Sequence, residues 1–207
     1  MKDRRRVTRV HVDALILAAG PSTRLGEPKQ LLDWGGLTLL GHVIAMVASF
    51  PVDETWVVLG SGIGEILEKV DLGDAGVVQN LEWEEGLASS LRVGLDAIAR
   101  EAKADAVLIL LGDQPEIDPD VVRELIERYE ETGAAAVIPK YRYQRGNPVL
   151  VGRSLWPRLM SLEGDQGARS LLQAHPEWVE EVWFPSSMPR DVDTTQDVED
   201  LRPDPRG

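Results

Sequence analysis

No cysteine occurs in the 207 residues, so neither a disulfide framework nor a thiolate metal centre is available. That absence fits a cytoplasmic setting. Histidine is nearly as scarce. His11, His42 and His175 share no ligand spacing with one another or with a carboxylate pair, and all three read as structural or exposed. Basic residues are also in deficit: 22 Lys and Arg stand against 35 Asp and Glu, a formal net charge of -13. Phosphate backbones need a basic face, which argues against nucleic acid as partner. No apolar run approaches transmembrane length, and MKDRRRVTR at the start lacks the apolar core of a signal peptide. No membrane role is expected. Residues 1–11 read as a solvated basic tail, 12–201 as one domain with ample chain for a core, and 202–207 as a second tail.

What is present is concentrated between Val12 and Leu32, VDALILAAGPSTRLGEPKQLL. Ala14-Leu15-Ile16-Leu17 is apolar without alternation and too short for a free-standing helix, as a strand buried on both faces would be. It breaks into Ala18-Ala19-Gly20-Pro21-Ser22-Thr23, whose small side chains let a ligand approach the backbone N–H groups. Arg24 and Lys29 then add two cations, one suited to a two-point grip on phosphate, the other a mobile point charge. The whole describes a polyphosphate cradle. A Walker A loop is excluded because Glu27 follows Gly26, and Gly-x-Gly-x-x-Gly is absent from this loop.

Downstream, Thr38 is expected to cap a helix reaching about Phe50, and Trp56–Leu59 and Gly76–Gln79 read as strands. Gly60-Ser61-Gly62-Ile63-Gly64 follows a strand, but Glu65 stands where a dinucleotide fingerprint needs its third glycine. Leu87, Leu91, Leu95 and Ile98 predict a helix whose first turn carries Ser89 and Ser90. Asp105–Leu111 is another continuously apolar strand, ending in Gly112-Asp113-Gln114-Pro115. A carboxylate there sits where open α/β sheets bind ligands. Asp118 caps the next helix, with Pro119 at its first position. A fifth strand, 134–139, leads through the polar loop 141–148 to a strand at 149–151. Helix 164–169 onward brings Arg169 and free amides that can hold a phosphate, and 178–184 is the last strand before Asp191-Val192-Asp193-Thr194 and a short helix. This alternation implies an α/β fold with a mostly parallel sheet, helices on both faces and one antiparallel strand.

Leu17, Ala18, Ala19, Gly20, Ser22, Arg24, Gly26, Lys29, Leu31 and Leu32 match the L-A-A-G-x-S-x-R-x-G-x-x-K-x-L-L pattern. By these residues the chain resembles the MobA-like nucleotidyltransferases, nearest their molybdenum cofactor cytidylyltransferase branch. The guanylyltransferase branch typically reads L-A-G-G with an acidic residue before its lysine, where this chain has Ala19 and Pro28. A sugar-phosphate nucleotidyltransferase, whose signature loop usually differs after the arginine, and a non-catalytic cofactor-carrying chaperone remain alternatives.

The resemblance implies a single three-layer Rossmann-like domain that moves CMP from CTP to a phosphorylated pterin acceptor, with pyrophosphate leaving and a molybdenum hydroxylase receiving the product. It implies that Asn80, Gly86, Ser89 and Ser90 line the nucleotide, and the family has a motif similar to the one that brings Arg169 to the acceptor; Asn147 is an acceptor candidate by the position and composition of its loop, which reads equally as a surface loop. The resemblance implies Mg²⁺ on Asp113, joined by Asp193. By its residues alone Asp193 has a second reading, with Thr194, as the cap of the last helix. Catalysis falls to Arg24 and Lys29, which screen the triphosphate. No Ser/His/Asp set is needed, because a phosphate monoester is already charged enough to attack without a general base.

Overall fold

Residues 9–22, 25–101 and 103–202 are described by a computed structural model of the chain. Arg24, residues 1–8 of the expected N-terminal tail and 203–207 of the C-terminal one lie outside the described residues.

The apolar run of the cradle forms β1 (Val12–Leu17), buried along its whole length. A hairpin of β2 (Asp33–Trp34) and β3 (Leu37–Thr38) precedes α1 (Leu39–Val47), whose cap is Thr38: its hydroxyl accepts from Gly41 N at 3.1 Å. The helix ends three residues before the expected Phe50. Then come β4 (Thr55–Leu59), α2 (Ile63–Lys69), β5 (Gly76–Gln79) and α3 (Leu87–Glu101). β6 (Ala106–Leu111) leads to α4 (Pro119–Thr132), capped by Asp118. β7 (Ala136–Tyr141), β8 (Gln144–Arg145) and β9 (Val149–Gly152) follow, then α5 (Trp156–Leu159), α6 (Ala168–Ala174), β10 (Val179–Phe184) and α7 (Thr195–Leu201). The expected start of β7 at Ala134 is two residues early, and α5 lies in a stretch with no expected element.

The strands form one mixed sheet in the order β10-β7-β9-β6-β1-β4-β5, with β8 added beside β7. Pairs β1/β4, β1/β6, β4/β5 and β7/β10 are parallel. Two strands run the other way, not one: β8 against β7, and β9 between β6 and β7. The physical reason is the connection. A short turn without a crossover helix can only return the chain antiparallel. Because β9 is reversed, its first residue, Val149, pairs with Ile109 near the end of β6, and the loop before it reaches the sheet's C-terminal edge.

Side chains of β1 alternate between two cores. Ala14 and Ile16 pack with Val43, Val47, Val122 and Leu125 of α1 and α4. Leu15 and Leu17 pack with Leu91 and Leu95 of α3 and with Leu159 and Leu172 beyond β9. This is the three-layer arrangement. A third, smaller cluster joins Trp34 and Leu39 to Val192 and Leu201, tying the segment after β10 against the hairpin. No helix among the described residues is long and apolar enough to cross a membrane.

Candidate active site

The cradle keeps its shape through a side chain that sequence reasoning passed over. Gln30, 3% exposed, donates from Nε2 to Ala18 O at 2.9 Å and Gly20 O at 3.1 Å, closing the loop from beneath. The Ser22 hydroxyl accepts from Lys29 N at 2.5 Å, so it braces the turn that aims Lys29. Gly20 is exposed, and a Cβ built on it meets nothing within 4 Å: this part of the loop is open to a ligand. A Cβ on Gly112, by contrast, would lie 2.7 Å from that of Ala18, so the turn after β6 can sit against the cradle only as glycine.

Lys29 is the centre of the arrangement. Its ammonium lies between the carboxylates of Asp113, at the end of β6, and Asp193, 3.3 Å away. Burial works against the charged lysine, but the two carboxylates outweigh it and hold its pKa above the ordinary value. Burial pushes the Asp113 carboxyl up, against the opposing pull of Lys29. Adjacent strands do not unite the two aspartates, because β7 and β9 lie between β10 and β6. Instead the chain after β10 folds back: Val192 N donates to Asp113 O at 2.9 Å, and Val192 is fully buried beside Trp34. The helix cap is Thr194, which forms a capping box with Asp197, so the cap does not take up the Asp193 carboxylate.

Asp113 Oδ1 is buried with no hydrogen-bond partner, an oxygen oriented for something the protein does not supply. Among the described residues no group of three or more His, Cys, Asp or Glu side chains could hold a metal ion. Carboxylate oxygens are nonetheless the hard donors Mg²⁺ uses, and the unpartnered Asp113 Oδ1 beside Asp193 fits it in donor chemistry. The three histidines stand elsewhere: His11 on Asp13, His42 on the Pro115 carbonyl, His175 stacked on Trp178.

Two cavities adjoin the loops that carry this centre. One, of about 510 Å³, is lined by Leu17, Ala19, Gly20, Pro21, Trp83, Glu84, Gly86, Leu87, Ser90 and Asp165. The other, of about 350 Å³, has Leu17, Ile109, Leu111 and Met188 as apolar walls and Gln114, Asn147, Arg169 and Asp191 as polar ones. Asn147 Nδ2 donates to Gln114 Oε1 at 3.1 Å, and Gln114 Nε2 to Asp191 Oδ1 at 2.6 Å, a relay that the Gly-Asp-Gln-Pro turn hinted at only through its aspartate. Leu17, Leu87 and Asp165 line both cavities, and Gly86 lines the first. At φ +98°, a Cβ there would lie 2.6 Å from the Gly164 carbonyl, and Ala88 N donates to that carbonyl at 3.0 Å.

Asn80 and Ser89 do not line either cavity. Asn80, 1% exposed, donates to Ser89 Oγ at 2.8 Å and Ser90 Oγ at 3.0 Å and accepts from Glu82 N at 2.9 Å, while Ser89 Oγ donates to the Glu82 and Gly86 carbonyls. They brace the turn at Glu82 and Gly86 that carries Trp83, an aromatic lining residue that the sequence reading did not single out. Asn80→Ala strands these partners in a buried place, and a loss of about 2 kcal/mol is expected from the urea midpoint.

A protein-family model described as MobA-like NTP transferase domain matches residues 14–179. Nicotine blue oxidoreductase of Paenarthrobacter nicotinovorans is 30% identical over 90% of this chain and 94% of its own. Bifunctional protein GlmU of Desulfitobacterium hafniense (strain Y51) is 34% identical over 77% of the chain, which spans only 33% of that relative's length. Among solved structures, an Rv0371c homolog from mycobacterium sp. strain JC1 superposes with a TM-score of 0.82 at 36% identity, covering 92% of this chain and 94% of that one. Rv0371c of Mycobacterium tuberculosis H37Rv, in complex with manganese, gives 0.81 at 27% identity, over 93% and 98%.

Proposed function

Because the chain belongs to the MobA-like NTP transferase family, we propose that it transfers CMP from CTP to the terminal phosphate of molybdopterin-type molybdenum cofactor, releasing pyrophosphate. One observation carries this reading: a lysine held between two carboxylates, with one cavity along the cradle loop at Ala19 and Gly20 and an amphipathic one at Gln114 and Asp191. In it, 12–201 form the nucleotidyltransferase domain, and the product goes on to a molybdenum hydroxylase.

The base and ribose occupy the cavity of Ala19, Trp83, Gly86 and Ser90, with the triphosphate along Ala18, Gly20 and Ser22. Lys29 sits next to the transferring phosphate, and Arg24 of the same loop is assigned to the leaving end. An acceptor phosphate oxygen attacks the α-phosphorus, the α–β bridging P–O bond breaks, and pyrophosphate takes the bonding electron pair. The attacking group is already ionised, so the residues are needed for in-line positioning and charge, not for proton removal. Mg²⁺ on Asp113 and Asp193 would neutralise the α-phosphate and the approaching acceptor, and the manganese complex of the Rv0371c neighbour supports divalent-metal use. Asn147 and Arg169 orient the acceptor.

Pyrophosphate release with cofactor and each of four nucleotides tests the assignment: CTP is expected to lead, and equal use of GTP overturns the cytidylyl reading. Ala19, 3% exposed and lining the nucleotide cavity, narrows it by a methyl group. Ala19→Gly is expected to relax selectivity by roughly 1–3 kcal/mol without inverting it, as competition between CTP and GTP would read.

A second reading comes from the oxidoreductase relative, together with Gly60-Ser61-Gly62 after β4. Against it, Glu65 replaces the third glycine and α2 has only seven residues. Consumption of nicotine blue with a nicotinamide donor would favour it; none is expected.

A further inference from the structure

Beyond the acceptor cavity lies an ion trio that the proposed reaction does not use. Lys140 of β7 donates from Nζ to Glu181 Oε2 at 2.7 Å, and Arg145 of β8 donates from Nε to Oε1 at 2.6 Å. Hydrogen bonding from Lys140, and then from Arg145, holds the Glu181 carboxyl below its usual pKa, so the trio carries one excess positive charge. Glu181 takes one donor from each partner and fixes both heads. Lys140 keeps two further N–H bonds, and Arg145 keeps the rest of its fork apart from a long contact of Nη1 to the Leu172 carbonyl at 3.4 Å.

These groups line a cavity of about 510 Å³ with Ile138, Val149 and Leu172 as its apolar floor and Arg169 on its rim. Among the described residues Arg169 makes no hydrogen bond or ion pair. Three cations against one carboxylate, in a chain of net charge -13, is a local excess that cross-strand pairing alone would not require. One carboxylate needs one cation. The cavity also shares Val149, Arg169 and Gln173 with the acceptor cavity, so a single elongated ligand can extend through both.

We propose that this cavity is a second anion subsite, in which Lys140 and Arg145 hold an oxyanion group of the acceptor other than its reacting phosphate. The inference rests on the acceptor lying in the neighbouring cavity, as assigned above. A planar fork beside a point charge suits two or three oxygens of one such group. Glu181 is then a built-in competitor that the ligand's oxygens partly displace.

Opposite signs make the test. Lys140→Gln and Arg145→Gln are each expected to raise the acceptor KM about tenfold, with kcat and the CTP KM within twofold. Glu181→Gln removes the competing carboxylate and is expected to lower the acceptor KM several-fold. A merely structural trio would move all three variants in the same direction, which overturns the proposal. Independently of any acceptor, titration of the ¹⁵N-labelled protein with inorganic phosphate is expected to shift the amides of Lys140, Arg145 and Glu181 saturably, and not in Arg145→Gln. Absence of those shifts also overturns it, as do phosphate shifts with an unchanged acceptor KM. If phosphate binds there but no CMP reaches the molybdenum cofactor, that acceptor is wrong and the anion subsite stands.

Discussion

Lys29→Ala is expected to lower turnover by on the order of a hundredfold or more while nucleotide affinity changes only a few-fold. The asymmetry follows from where the ammonium sits. In the resting protein Lys29 neutralises Asp113 and Asp193 and draws its raised pKa from them. When a triphosphate arrives, its negative oxygens offer the same ammonium new partners, and the demand is greatest as charge builds on the leaving pyrophosphate. In the proposed reading ground-state binding is shared with the loop amides of Ala19, Gly20 and Ser22, Ala18 N being bonded to the Val58 carbonyl, so it survives the loss of one contact; the transition state has no substitute. Lys29→Arg keeps the charge but not the compact point geometry, and only partial recovery is expected. Steady-state kinetics at saturating CTP, with nucleotide affinity measured separately by titration calorimetry, separates the two effects. An unchanged turnover number would remove Lys29 from the mechanism.

The central strands were legible because their physics is local. A parallel strand covered on both faces must be apolar at consecutive positions, as β1 and β6 are, and the caps at Thr38 and Asp118 are readable from one residue each. The reversal of β9 was legible only as a short connection, and its insertion between β6 and β7 is a tertiary fact with no local signal. The same limit applies to the site. Lys29, Asp113 and Asp193 can be singled out one at a time, but what unites them is Val192, an apolar residue whose backbone meets Asp113 and whose side chain packs on Trp34. Polar residues turned inward mislead in the opposite direction. Asn80 has the chemistry of a base-reading side chain, yet in its buried place it donates to Ser89 and Ser90 and accepts from Glu82. Gln30, one residue past the lysine, carries no chemistry of its own to mark it, although it closes the cradle.

Asp113→Asn and Asp193→Asn are each expected to bring turnover near zero in the presence of Mg²⁺, and to do so without unfolding the protein. Asp113 Oδ1 is buried and unpartnered, so the carboxylate bears a desolvation cost that folding alone does not explain. An amide of the same shape removes the charge, and with it both the hold on Lys29 and the hard oxygen donor a divalent cation requires. Since one carboxylate cannot replace two, the losses should not add: the double variant is expected to resemble either single one. Stability is the control. Thr194 and Asp197 form the cap of α7, so Asp193→Asn is expected to stay within about 1 kcal/mol of the parent, whereas Thr194→Ala loses about 1 kcal/mol and keeps its activity. Thermal unfolding beside Mg²⁺-dependent pyrophosphate release reads both quantities on the same samples. If Asp193→Asn instead loses stability and retains Mg²⁺-dependent turnover, the shared metal site is wrong, and the contact between Asp193 and Lys29 serves only to fasten the last helix to the cradle.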